Sequence, residues 1–191
     1  MTRPRRPERH RTVASDSCQL CRDRFAMLDC MFTDSITSTL DFEPIPPGEL
    51  QEIRMAGLDE AGNRLTPQAV TEGGDPLRCC LRETRPGDRV LLIAYTPPGT
   101  SGAYAERGPV FIHADPCEGY RTPHLYPPEL SYRQQVVRAY DRSGRIADGV
   151  LVSNGDHALE VISEMLARPG VALVHLRNVG WGCYNFAVQR R

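Results

Sequence analysis

The sequence predicts an α+β fold: a single domain with a mostly antiparallel sheet, two or three helices, and a helix–hairpin unit at the C-terminal end. Three observations predict it. Short apolar segments of strand length recur after residue 88: "RVLLIAY", "PVFIHA", "QVVRAYD", "DGVLVS", "VALVHLRN" and "CYNFAVQ". Two pairs of them are joined by tight turns, so their members run antiparallel. One amphipathic stripe, Ala158, Leu159, Ile162, Met165 and Leu166, has helical spacing.

Taken in order, "DFEPIP" near residue 41 is a short extended segment. Pro47-Gly48-Glu49 opens a helix through Ala56, with Leu50 and Ile53 on one face and Gly57 as its stop. Residues 59–76 are rich in Gly, Asp, Pro and Thr and read as loop. Pro86-Gly87-Asp88 is a turn signal that leads into "RVLLIAY", the clearest buried strand. A Pro/Gly loop around Tyr104 precedes "PVFIHA", and a Pro-rich crossover spans 115–131. The turn Asp141-Arg142-Ser143-Gly144 joins the next two strands. Asn154-Gly155-Asp156 caps the helix over 156–167, Arg168-Pro169-Gly170 ends it, and the last two strands close as a hairpin.

Residues 1–40 read as an Arg/Pro-rich, disordered extension to a domain over 41–191. Residues 1–24 hold seven Arg against Glu8, Asp16 and Asp23, a net of +4 that leaves −5 on the rest of a 191-residue chain with formal charge −1. Met27 and Met31 are alternative start positions. Cys18-x-x-Cys21 is one zinc half-site, with His10 and Cys30 as an irregular second half. Every basic residue is Arg, which fits a GC-rich bacterial genome and excludes a lysine Schiff base or phosphate-binding ammonium. No apolar run approaches the ~20 residues of a membrane helix. Asp23 and Asp29 interrupt the only candidate signal segment. The expected setting is therefore cytoplasmic, with no membrane or nucleic-acid partner, and the seven Cys read as thiols or metal ligands.

Three segments carry the candidate chemistry. In "PLRCCLRETRPGD", an extended backbone puts Arg78, Cys80 and Arg82 on one face, where two guanidiniums can grip an anion, and sends Cys79 and Cys80 opposite ways. In "GPVFIHADPCEGY", His113 and Cys117 have the spacing of a chelating or Cys/His nucleophile pair. In "VHLRNVGWGCYNF", His175 and Arg177 share a face, Asn178 begins the turn, Cys183 starts the returning strand, and Trp181 covers that end of the sheet. Each segment also reads as ordinary sheet closure: histidine bonded to backbone, Asn and Gly in turns, Cys in the core.

These segments, with "VVRAYD", are similar to the bacterial domain-of-unknown-function family 1203. The resemblance rests on Arg78, Cys80, Leu81 and Arg82; Gly108, Pro109, His113 and Cys117; Arg138, Tyr140 and Asp141; and His175, Arg177, Asn178, Gly182 and Cys183, over about residues 42–190. Relatives often carry Cys where this chain has Leu77, which weakens a C-x-x-C redox pair with Cys80. The family supplies no mechanism and leaves oligomeric state and cofactor unknown.

Three functional readings follow. The first gathers Arg78, Arg82, Arg177 and Asn178 into a pocket for a small anionic metabolite, with His113 or His175 available as acid/base. The second is a non-catalytic structural or partner-binding domain. The third is a zinc or thiol-redox site drawn from Cys80, His113, Cys117, His175 and Cys183, with Cys80–Cys117 or Cys117–Cys183 disulfides as its redox form.

Overall fold

The structure, a computed structural model, describes residues 39–191. The expectations for the N-terminal extension, including His10, Cys18, Cys21 and Cys30, lie outside the described residues.

The described elements are β1 (Leu40–Glu43), α1 (Pro47–Ala56), β2 (Gln68–Ala69), β3 (Arg89–Tyr95), β4 (Gly108–His113), β5 (Gln135–Asp141), β6 (Ile146–Val152), α2 (Gly155–Ala167), β7 (Val171–Asn178) and β8 (Tyr184–Arg190). The α+β class and the C-terminal helix–hairpin unit are as the sequence predicts. The strands divide into two antiparallel sheets, a five-stranded one in the order β1-β8-β7-β5-β6 and a three-stranded one in the order β2-β3-β4.

Local chemistry explains the helices and hairpins. Gly57 takes the left-handed conformation (φ 67°) that ends α1, and its N–H donates to the Ile53 carbonyl at 3.1 Å. Asn154 caps α2 by accepting from the His157 N–H at 3.0 Å. In the β5–β6 turn, Asp141 accepts from the Ser143 and Arg145 N–H groups at 2.8 and 3.0 Å.

The faces of β7 show how the layers stack. Val174 and Leu176 join one core with the apolar stripe of α2, Val137 and Ala139 of β5, and Phe186 and Val188 of β8. Leu173 joins a second core with Tyr184, Ala187, Leu50 and Ile53 of α1, and Val90, Ile93, Val110 and Ile112 of the smaller sheet. The large sheet is thus covered by α2 on one face and by the small sheet with α1 on the other. His175 and Arg177 share the second face with Leu173, because strand side chains repeat every two residues.

The loop after α1 is tied to the small sheet by one carboxylate. Asp59 accepts from Ala61 and Asn63 N–H groups at 3.0 and 2.8 Å, from the Asn63 amide at 3.0 Å, and from the Ala94 N–H at 2.8 Å. Burial opposes its charge, but these four donors win and hold the carboxyl down to about 2. The folded value lies below the ~3.9 of an unfolded Asp, so its stabilisation is complete above pH ~4 and lost as pH falls through about 2. Asp59→Asn is expected to lower stability at pH 7 by about 1–3 kcal/mol and to flatten the loss between pH 4 and 2. Urea unfolding across that range measures both.

Candidate metal centre

The segment 77–82 is a closed turn rather than an extended strand. The Leu77 N–H donates to the Arg82 carbonyl at 2.8 Å and the Leu81 N–H to the Leu77 carbonyl at 3.0 Å. Leu81 completes the turn at φ 54°, the one described non-glycine residue in the left-handed region. Two backbone bonds clasp the turn from either side: Arg78 N–H to the Phe111 carbonyl of β4 and Ile45 N–H to the Arg78 carbonyl, each 2.9 Å. The common face expected for Arg78, Cys80 and Arg82 therefore does not form. Cys79 and Cys80, expected to diverge, turn toward one point.

That point is the end of β4. His113 is its last residue, opposite Val90, and its N–H donates to Cys79 Sγ at 3.4 Å. Its Nδ1 lies 3.4 Å from Cys79 Sγ and 3.8 Å from Cys80 Sγ, and the two sulfurs are 3.9 Å apart. Cys117 enters from the loop beyond β4, and the four ligand atoms of Cys79, Cys80, His113 and Cys117 all lie within 4.8 Å of one another. Cys79 is buried and the other three are half-buried. Hydrogen bonds from Cys79, Cys80 and His113 and from the Gly119 N–H hold the Cys117 thiol far below its ordinary range. Cys79 is pushed well up, by its bonds to Cys117 and Cys80 and by burial.

A second layer holds the imidazole. Arg82 donates to both Asp88 oxygens, at 2.8 and 3.0 Å, and its Nη2 lies 2.7 Å from His113 Nε2. Asp88 Oδ1 is 4.0 Å from the same nitrogen. The sulfur contacts, Cys117 first, push the imidazole up to about 9 against burial. The Arg82 donor opposes this, since its contact is a hydrogen bond only while Nε2 is unprotonated. The neutral ring with Nδ1–H toward the sulfurs satisfies both neighbours. A cavity of about 580 Å³ opens beside the cluster, bordered by Cys80, Arg82, Asp88 and Cys117.

The other expected site residues lie elsewhere. Glu106 accepts from Arg177 and, at 2.7 Å, from Arg138, and Arg177 Nε also donates to the Gly182 carbonyl at 3.0 Å. Asn178 hydrogen-bonds Asn185 at 3.1 Å and closes the hairpin tip. Cys183 and Asn178 border a different cavity, which includes Pro109. Pro109 and His113 sit near opposite ends of β4, roughly 13 Å apart at 3.3 Å per residue. The three polar segments therefore form two sites, and all four described cysteines are free. Trp181, expected to cover the sheet end, is 88% exposed at the tip.

His175 is fully buried between the rings of Tyr140 and Tyr184, with centroids 4.5 and 5.0 Å away. Its Nε2 bonds the Pro98 carbonyl at 2.9 Å, so that nitrogen carries the proton. Burial drives its titration down to about 3. The ring is buried and bonded to backbone, and its charged form is disfavoured near pH 7.

The class defined by these observations is a two-sheet α+β domain with a Cys/His cluster at a strand end. The chain belongs to the family described as "Protein of unknown function (DUF1203)", whose model matches residues 74–190. The match includes the whole cluster. No curated protein and no solved structure matches the chain.

The folded value for His175 lies below the ~6.5 of an unfolded His, so the unfolded chain takes up the proton first. Its contribution is complete above pH ~6.5 and is lost as pH falls toward about 3. Nitrogen-15 NMR is expected to show a neutral Nε2–H ring unchanged from pH 8 to pH 5. His175→Ala is expected to cost about 2–4 kcal/mol in urea unfolding, through the cavity and the lost bond to Pro98.

Proposed function

We propose that Cys79, Cys80, His113 and Cys117 bind one zinc ion and that the protein is a metal-binding domain. One observation carries this reading, the mutual placement of the four ligand atoms. A tetrahedral zinc with Zn–S near 2.3 Å and Zn–N near 2.0 Å needs sulfurs about 3.8 Å apart and sulfur–nitrogen separations of about 3.5 Å. The separations of 3.9, 3.4 and 3.8 Å among Cys79, Cys80 and His113 match that requirement. Three thiolates and an imidazole are a soft donor set suited to zinc, and four protein ligands fill the tetrahedron. The role this favours is structural, with the ion joining the 77–82 turn, the end of β4 and the loop to Gly119.

Zinc bound here would take the place of protons on the thiols and on Nδ1. With zinc on Nδ1, Nε2 would carry the ring proton, and the Arg82 donor now 2.7 Å from it would have to give way to Asp88, whose Oδ1 is 4.0 Å off. Affinity consequently weakens as pH falls. The arginine pocket finds less support: Arg82 is paired with Asp88 and Arg177 with Glu106. A reducing, cytoplasmic setting is the compartment that keeps this thiol set available.

Protein purified without metal additives is expected to hold about one zinc per chain by elemental mass spectrometry. Chelation should lower the melting temperature by several degrees, and cobalt substitution should give thiolate charge-transfer and tetrahedral d–d absorption. Cys117→Ser should lose the metal, whereas Cys183→Ser should keep it. Metal-free protein whose melting is indifferent to zinc and chelator contradicts the proposal.

A further inference from the structure

A second cavity, of about 300 Å³, lies between the β7–β8 tip and the exposed face of the small sheet. Its apolar wall is Trp181, Leu92, Phe111 and Pro109. Leu92 and Phe111 are cross-strand partners and so share a face. Trp181 and Leu92 are 88% and 47% exposed, an apolar surface that no described element covers.

The charged wall is unusual in its accounting. Arg78 lines the cavity yet is only 2% exposed. Nε donates to the Tyr184 carbonyl at 2.7 Å and Nη1 to the Pro76 carbonyl. No carboxylate forms an ion pair with Arg78 among the described residues; Asp75 and Cys183 act on it only through space. A guanidinium buried this deeply is costly without an anion. Arg82, Arg85, Arg89, Arg133, Arg138, Arg168 and Arg177 all have a carboxylate. Asp75, exposed at the rim of the same cavity, likewise forms no ion pair among the described residues. Asn178 adds a neutral amide.

We propose that this cavity binds a small apolar α-amino acid, its carboxylate on Arg78, its ammonium toward Asp75 and its side chain against Trp181, Leu92 and Phe111. A buried cation and a rim anion that act on each other without direct contact complement the two charges of a zwitterion. The aromatic and aliphatic wall complements an uncharged side chain, and the volume lies at the small end of ligand sites. With Nε and Nη1 held by backbone carbonyls, Nη2 is the guanidinium nitrogen left to meet the carboxylate. The site is separate from the sulfur cluster and stands or falls independently of zinc.

L-phenylalanine, the probe, is titrated into the full chain and followed by calorimetry and by emission of Trp181, the one tryptophan. Saturable binding with a shift in emission is expected. L-phenylalaninol, which lacks the carboxylate, should bind at least tenfold more weakly, and 3-phenylpropionate, which lacks the ammonium, at least fivefold. Arg78→Met should abolish binding. Because Arg78 also bonds two backbone carbonyls and its variant can fail to fold, Asp75→Asn supplies the independent arm. That variant should keep its melting temperature and lose the preference for phenylalanine over 3-phenylpropionate. Absence of saturable phenylalanine binding at millimolar concentration, equal affinity for phenylalaninol, or an unaltered preference in folded Asp75→Asn overturns the proposal.

Discussion

The turn over residues 77–82 is clasped between the Phe111 carbonyl and the Ile45 N–H, and both candidate sites depend on that clasp. It fixes a tight run of backbone in which successive side chains leave in different directions. Cys79 and Cys80 go to the His113 end of β4. Arg78 goes the other way, under the β8 backbone at Tyr184. Leu81 is driven into the α2-side core despite its left-handed backbone, and burial of a leucine side chain, worth about 1.5–3 kcal/mol, offsets that conformation. The conformation is maintained because packing and backbone bonding act on the same few residues.

The stacking of two sheets then separates polar groups by their neighbours. On the face of the large sheet that meets the small sheet, His175, Arg177 and Arg138 are absorbed into interior bonding with Pro98, Gly182 and Glu106. Interior bonding of this kind disfavours the charged histidine and occupies guanidinium donors, Arg177 Nη1 excepted. At the His113 end of β4 the opposite holds. There the groups bond chiefly to one another, and sulfur and imidazole share protons that a cation can replace.

Much of the fold was legible in the sequence because its signals are local. Gly57, Asn154 and the Asp141–Gly144 turn announce helix ends and a hairpin through chemistry that acts within a few residues. The division into two sheets was not legible, since an alternating apolar pattern shows which face is buried and not which strand lies beside it. Of the sulfur cluster, Cys80, His113 and Cys117 were identifiable by residue type. Strand alternation sends Cys79 away from them, but the segment is a turn closed by a leucine, with no glycine to signal it. His175 carried the same motif vocabulary as His113, and only its burial between Tyr140 and Tyr184 distinguishes them. Arg78 stood out in sequence as half of an arginine pair. Its distinguishing property, burial without a carboxylate among the described residues, appears only in three dimensions.

The central claim is that this turn and the end of β4 build a four-ligand metal centre. X-ray absorption at the zinc edge of the natively purified protein tests it most directly. The account predicts a first shell of three sulfurs near 2.3 Å and one nitrogen near 2.0 Å, with imidazole multiple scattering that vanishes in His113→Ala. A shell of oxygen ligands, or a sulfur count unchanged in Cys79→Ser and Cys80→Ser, would contradict it.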